Sequence, residues 1–521
     1  MSLNIYRSTG WRCAAVVVCL LLTAPGCGDA SRSEPQVPLK TAGGDDTPPP
    51  PLPVSETWDV LTMFGQRAGY QRTRVANAIE GDRKVVRTES LMHLDMQRFG
   101  QATQSPEIRV LSVESPEGQL IRFESVSTLG PQSMKTVGEV VGNRLKLVPT
   151  GPGPAEPEWR DWSPEIGGPF AVEQSLERKP MQPGEERSLR AIVPALNEVA
   201  TIRLVAQKYE PARLLGGDVE LLRVELTMDL GKDRKLEETR WTNRAGETLR
   251  TRSPTMNVEA YRSTEAVALA KDDAPKPDLS NSMLVPVGRR IEKPQQTLRI
   301  RYRVELKGGD PAAVFVGGPS QLVESIDANS ARITVYAIRP GRQDGNAAAP
   351  ADPPAAGDRE PNQWIQSAEP PIVADARQVA AEEKDPWKLS LALAAYVLRE
   401  VRFSYSQAFA SAADVAKLRE GDCTERAVFL AALARARGIP ARTAVGLIYV
   451  EAKQPAMCYH MWNEVYVDGR WIPLDANAGG ATGAAYLKIA QSDLKGVSSA
   501  TCFLPVAQVF SRLKIEIEDV E

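Results

Sequence analysis

The sequence predicts an α+β protein in which a long β-rich region precedes a mixed α/β region, and three observations predict it. From about Trp58 to Arg262, short apolar or alternating runs are broken by Gly, Asn or Asp, as in Ile108-Arg109-Val110-Leu111-Ser112-Val113 closed by Glu117-Gly118. In Leu298 to Leu306 every even position is apolar and every odd one charged, the period of a strand with one buried face. After Pro370, helix-capping patterns and an Asp-Gly hairpin signal enter together.

A chain of 521 residues exceeds one hydrophobic core, so two or three domains with linkers are expected. Lys plus Arg number 63 against 66 Asp plus Glu, a net charge of −3, with no long basic run. A nucleic-acid binder would need a concentrated positive face, so that class is excluded.

The N-terminus has the pattern of an export signal. Arg7 and Arg12 precede the apolar run Cys13 to Leu22, which is too short to span a bilayer comfortably, and Ala24-Pro25-Gly26-Cys27 supplies small residues for cleavage. Gly26-Cys27 resembles the lipobox of bacterial lipoproteins, in which the cysteine becomes the acylated first residue. Ala24 stands where that pattern prefers Leu. The resemblance implies lipidation at Cys27 and a membrane anchor; the alternative is cleavage nearby to give a soluble secreted protein. Either way the mature chain is expected to leave the cytoplasm, and a periplasmic or cell-envelope location is expected.

Residues 1–27 are thus read as signal, and the Pro-rich stretch 28–54 as a tether that cannot build a core. An antiparallel β domain is expected over 55–265, where His93 stands apart from other catalytic residue types and is read as a surface or packing residue. A small β domain is expected over 282–340, with Arg299, Arg301 and Arg303 on its solvated face. The Ala-, Pro- and Gly-containing stretch 341–370 reads as a linker, 371–495 as the mixed domain, and 496–521 as a C-terminal β extension.

Within the mixed domain Asp385-Pro386 caps a helix whose face is expected to carry Trp387, Leu391, Ala394 and Leu398. Val401 to Ser406 reads as extended, and Ser411 with Asp414 caps a short helix ending before Glu420-Gly421. Asp422 with Glu425 forms another capping box, and the apolar run Ala427 to Ala436 stops at Gly438. Cys423 therefore falls in the first turn of a helix. Unpaired N–H groups and the positive end of the helix dipole there lower a thiol pKa from about 8.5 toward neutrality.

His460 to Val467 and Arg470 to Asp475 flank Asp468-Gly469, a two-residue hairpin signal. In that register Val467 faces Arg470 and Trp462 faces Asp475. His460 then shares a face with Asp475, diagonal to it at about 7 to 8 Å, a gap the two side chains can close. Asp475 would fix the imidazole tautomer and steady the imidazolium. The chain has only two histidines, and one stands here. A thiol on a helix start with a His and an Asp on a hairpin is what nucleophilic thiol catalysis needs.

Six cysteines are present. Cys13 and Cys19 leave with the signal and Cys27 goes to lipid, so Cys423, Cys458 and Cys502 remain. An odd count in an oxidising compartment implies one reactive thiol, taken as Cys423, beside at most one disulfide. Cys458 has two candidate partners, Cys502 and Cys423; the Cys458–Cys502 bond is the plainer. Two separated histidines and no Cys-x-x-Cys spacing leave no metal site, and no cofactor is expected.

Four segments carry a resemblance: Gly421-Asp422-Cys423-Thr424-Glu425, Ala434 to Arg442, His460-Met461-Trp462-Asn463-Glu464-Val465, and Trp471-Ile472-Pro473-Leu474-Asp475. They resemble the motif blocks of the transglutaminase-like superfamily over residues 385–495. Met461 and Ala476-Asn477 depart from the family's usual Ala and Pro-Thr, and neither departure is expected to touch a catalytic atom. The resemblance implies a papain-like α+β core with the Cys helix packed on an antiparallel sheet. It also implies Cys423 as nucleophile, His460 as general base and acid, and Asp475 as the orienting carboxylate. The Cys423 backbone N–H is the expected oxyanion donor, with Tyr405 and Gln407 as candidates for a second. Glu464 is expected to be a structural partner. The implied substrate is a protein or peptide carboxamide, and the competing reading is a non-catalytic binding or scaffold module of the envelope.

Overall fold

The computed structural model describes residues 54–521 apart from 99–100, 103–104, 130–131, 151–155, 232–233, 255–256, 273, 280–283, 342–344, 346–348, 350–351, 405–409, 452 and 496–503. The signal, Cys27 and the tether up to residue 53 lie outside the described residues. No helix among the described residues is long and apolar enough to cross a membrane.

Among the described residues, fifteen strands between Val54 and Ser263 hydrogen-bond into one sheet. Val54–Met63 lies at its middle, between Gln66–Glu80 and Val258–Ser263. The pairings are antiparallel, as expected for this domain, until the last, where Ile166–Gly167 runs parallel to Glu186–Val193. The sheet curls: Gly167 also bridges Gln119, and Leu120, Phe123, Leu145 and Leu147 share a core with Trp162, Ile166 and Ile192. His93 lies partly exposed on this sheet, 3.2 Å from Glu107 and stacked on Tyr70.

The alternation at 299–306 is realised as a strand, with Ile300, Tyr302, Val304 and Leu306 buried. Leu298, expected on the same buried face, precedes the strand and is 50% exposed. This strand lies between Ser330–Tyr336 and the C-terminal strand Leu513–Val520, with Gln321–Asp327 at the edge. The expected small domain and C-terminal extension are therefore one four-stranded sheet. Leu284–Pro286, assigned by the sequence to the small domain, instead pairs with Ala456–Cys458 of the next sheet. Both corrections involve partners far apart in the chain, where local pattern carries no pairing information.

That next sheet runs, in spatial order, Gly480–Ala481, Arg470–Asp475, Pro455–Val467, Ala441–Glu451 and Tyr486–Ser492. The helix Cys423–Ala436 packs on it and is buried almost all round. Helices Pro370–Gln378, Pro386–Glu400 and Ala412–Leu418 surround it. The stretch read as a linker is packed at its end: Trp364 and Ile365 are buried, and Ala412 N donates to the Trp364 carbonyl at 2.9 Å. Asp385 caps Pro386–Glu400 as expected, accepting from Trp387 N and Lys388 N, but the buried face carries Leu389, Leu393, Ala394, Tyr396 and Val397. Leu398 is 41% exposed, so the expected face is rotated. Within the segment expected to be extended at 401–406, Arg402–Phe403 is a strand paired in parallel with Glu420–Gly421, and residues 405–406 lie outside the described residues.

Candidate active site

Asp422 ends the approach to the Cys helix. Its Oδ1 accepts from Thr424 N at 2.8 Å, while Glu425 Oε2 accepts from Asp422 N at 2.9 Å, the reciprocal capping the sequence pattern requires. Cys423 is thereby set as the first helical residue, 0% exposed. The other Glu425 oxygen accepts from Ala410 N at 3.1 Å, and burial together with the neighbouring Asp422 pushes the Glu425 carboxyl well above the usual range.

The hairpin keeps the register read from its Asp-Gly turn: Val467 faces Arg470 and Asn463 faces Leu474. Asp468 takes the left-handed conformation with φ 51° and Gly469 follows with φ 78°, the geometry of the tight two-residue turn. His460 Nε2 lies 3.0 Å from Asp475 Oδ2, both side chains buried. Asp475 Oδ1 accepts from Asn477 N at 2.7 Å and Asn477 Nδ2 at 3.2 Å. Tyr486 donates its hydroxyl to Asp475 Oδ2 at 2.8 Å. Burial by itself would raise this carboxyl; the facing His460 and these hydrogen bonds outweigh it and leave it below the usual aspartate range. An ionised carboxylate only accepts, so the imidazole proton sits on Nε2 and Nδ1 is the basic nitrogen.

Arg426, one turn into the Cys helix, joins that helix to this pair. Its Nη1 donates to Asn477 Oδ1 at 3.0 Å and its Nη2 to the Val401 carbonyl at 2.6 Å. Burial lowers its guanidinium pKa, and Asp475, Cys423 and Asp422 push it back up in part, so thiol and carboxylate act on the same cation. Three residues past His460, Asn463 Nδ2 donates to the Ala427 carbonyl at 2.9 Å. These contacts anchor the start of the Cys helix at the His–Asp end of the hairpin.

The model of the transglutaminase-like superfamily matches residues 374–476, which hold all of these groups except Asn477 and Tyr486. This segment is a transglutaminase-like domain. No curated protein matches the chain. Among solved structures the chain is similar to a candidate cysteine protease from Cytophaga hutchinsonii, at 14% identity over 43% of this chain and 89% of that one, with a TM-score of 0.28. It is similar to a β-barrel-like protein from Brucella abortus at 10% identity, over 41% of this chain and 97% of that one, TM-score 0.29. It is also similar to a TGase at 16% identity, over 38% of this chain and 56% of that one, TM-score 0.15.

Further along the His-bearing strand of the transglutaminase-like domain, Glu464 is wholly buried. Lys488 Nζ lies 2.6 Å from its Oε1, and Arg442 Nε lies 2.8 Å from its Oε2. Arg442 also pairs with Asp352 at 2.8 Å and stacks 4.0 Å over the Trp471 ring. Burial raises the Glu464 carboxyl, but the two cations pull it below the usual glutamate range.

Tyr405, Gln407 and Cys502 lie outside the described residues. Cys458 carries a free buried thiol mid-sheet, paired with Leu284 on one side and Ile448 on the other, and is not bonded to Cys423; the expected Cys458–Cys502 bond falls on Cys502, outside the described residues. Among the described residues no group of three or more His, Cys, Asp or Glu side chains could hold a metal. The expectation that Asn477 leaves the catalytic atoms alone is corrected by its two hydrogen bonds to Asp475. Sequence reasoning also missed Tyr486 and Arg426. Arg426 had a signal, being a charge at the start of an otherwise apolar helix; Tyr486 had none.

Proposed function

We propose that this protein is an exported thiol enzyme that forms a thioester from a protein or peptide carboxamide. The observation that carries the reading is the buried His460–Asp475 hydrogen bond of 3.0 Å beside a helix that begins at Cys423. In the proposed cycle the Cys423 sulfur adds to the amide carbon, and the resulting oxyanion takes a hydrogen bond from the Cys423 backbone N–H. His460, protonated in that step, gives its proton to the departing amine or ammonia as the C–N bond breaks. The thioester left on Cys423 is resolved by an incoming amine, giving a cross-link, or by water, giving hydrolysis. Asp475 holds the imidazole and balances its charge throughout.

The test offers a fluorescent primary amine with a glutamine-bearing protein, while released ammonia and new N-termini are measured in parallel. Amine incorporation marks cross-linking, ammonia without incorporation marks deamidation, and new N-termini mark proteolysis. Cys423→Ala is expected to lower whichever signal appears by about a thousandfold or more. Equal turnover by wild type and Cys423→Ala with every acyl donor, together with alkylation of Cys423 no faster than a free thiol, would sink the reading in favour of a scaffold role.

The same reading includes export by residues 1–27 and attachment through Cys27, with 28–54 as the spacer. Labelled fatty acid is expected to enter the wild type in bacterial cells and to be absent from Cys27→Ser. Equal labelling of the two would remove the anchor.

A further inference from the structure

We propose that Tyr486 is a positioning residue: by donating its hydroxyl to the Asp475 oxygen that holds His460, it limits how firmly Asp475 keeps a proton on the imidazole. Its catalytic consequence rests on the thiol-enzyme reading above; its physical content does not.

The donor polarity of this chain is fixed by chemistry. Asp475 is buried and ionised, so the 2.8 Å contact from Tyr486 must use the phenolic proton. The tyrosine oxygen then has only lone pairs to offer Gln295, whose Nε2 lies 3.1 Å away and donates to it. A directed relay results, from the Gln295 amide through the Tyr486 hydroxyl to Asp475 Oδ2, the same oxygen that receives His460 Nε2–H. Gln295 lies in the segment between Leu284–Pro286 and Arg299–Leu306, outside the matched domain, so the relay ties the site to the flanking sheet.

The fold makes room for this reach. His460 pairs with Gly446 on the neighbouring strand Ala441–Glu451, and Gly446 in turn pairs with Lys488 on the strand that carries Tyr486. Because Gly446 has no side chain, the backbone of the Tyr486 strand can lie close against it, where a Cβ would stand 2.1 Å from the Leu487 carbonyl oxygen. The tyrosine ring lies edge-on to His460 at 6.3 Å and to Trp462 at 5.4 Å, while Trp462 stacks on the imidazole at 6.3 Å. The ring is thus held on two sides before its hydroxyl makes any hydrogen bond.

Among the described residues, the titratable or charged groups around the pair include the Cys423 thiol and the Arg426 guanidinium from the Cys helix, with Asp422 acting on Arg426 and the Arg442–Glu464–Lys488 cluster farther along the strand. Two donors on one carboxylate oxygen spread its charge and weaken its pull on the imidazolium. Removing the tyrosine donor leaves Oδ2 to His460 alone, and the imidazolium is held more strongly.

Histidine labelled with nitrogen-15 reads this directly, because the chain has only His93 and His460 and a His93→Asn variant assigns the signals. In wild type the His460 ring is expected as the Nε2–H tautomer. In Tyr486→Phe its titration midpoint is expected to move up by about one pH unit. Gln295→Met keeps the phenol but removes the donor behind it, and a smaller shift in the same direction is expected; it carries the test if Tyr486→Phe does not fold. An unchanged His460 titration in the folded variants overturns the proposal. Cys423 alkylation of the wild type, run separately, reports on the thiol-enzyme reading, so the two fail independently.

Discussion

Glu464 sits 1% exposed between two cations, Lys488 and Arg442, the second of which also pairs with Asp352 at the rim. Glu464→Gln would leave buried Lys488 and Arg442 without their shared anion, a loss of about 3 to 5 kcal/mol read as a lowered unfolding midpoint at pH 7. The pH dependence has a definite sign. A carboxyl depressed in the folded state stabilises fully above the unfolded value of about 4.3 and loses that contribution as pH falls through the folded one. Wild type should therefore lose stability below about pH 4 more steeply than Glu464→Gln, and parallel curves would show that Glu464 is not the group responsible. Asp475 is depressed too, but its removal tells a different story. Asp475→Asn takes away the acceptor that selects the Nε2–H tautomer, so it is expected to cut turnover by about a hundredfold to ten-thousandfold. That expectation fails if kcat/KM of Asp475→Asn stays within a few-fold of wild type.

At the scale of elements, what the chain made legible was local. The Asp422–Glu425 box and the Asp468-Gly469 turn each act within a few residues, and both the start of the Cys helix and the hairpin register followed from them. The phase of helix Pro386–Glu400 did not follow, because Leu389 and Leu393 on one side and Leu391 and Leu398 on the other are equally apolar and only the position of the neighbouring helix decides between them. Tyr486 was illegible for a related reason: its partners Asp475 and Gln295 come from other elements. Gly446 shows the same limit from the opposite side. A Cβ there would stand 2.1 Å from the Leu487 carbonyl oxygen, in the backbone of the strand that carries Tyr486, beside the irregularity between Val445 and Gly446. Gly446→Ala must therefore move that strand, at a cost of about 1 to 3 kcal/mol. Thermal melting of Gly446→Ala checks this, and an unchanged midpoint would mean that the strand yields freely.

Across the whole molecule, the transglutaminase-like domain does not own all of its interior. One continuous core runs from Met63 and Leu94 of the large sheet, through Ile300, Tyr302 and Val304, to Ala427 and Leu430 of the Cys helix. The last strand of the chain, Leu513–Val520, contributes Ile515 and Ile517 to it and pairs with Arg299–Leu306, which continues from the segment bearing Gln295. Thr297 reinforces that link, since its carbonyl accepts from Ala484 N at 3.0 Å, two residues before Tyr486. A cavity in the four-stranded sheet should thus be felt at Cys423. Ile515→Ala is expected to cost about 2 to 5 kcal/mol. If the core unfolds as one cooperative unit, the denaturant midpoint for exposure of the buried Cys423 thiol should fall together with that for loss of sheet structure. The measurement is thiol labelling and circular dichroism on the same denaturant series. Cys423 protection that survives unchanged while the sheet signal shifts would show that the four-stranded sheet melts alone, because a thiol 0% exposed in a shared core cannot stay covered when that core opens.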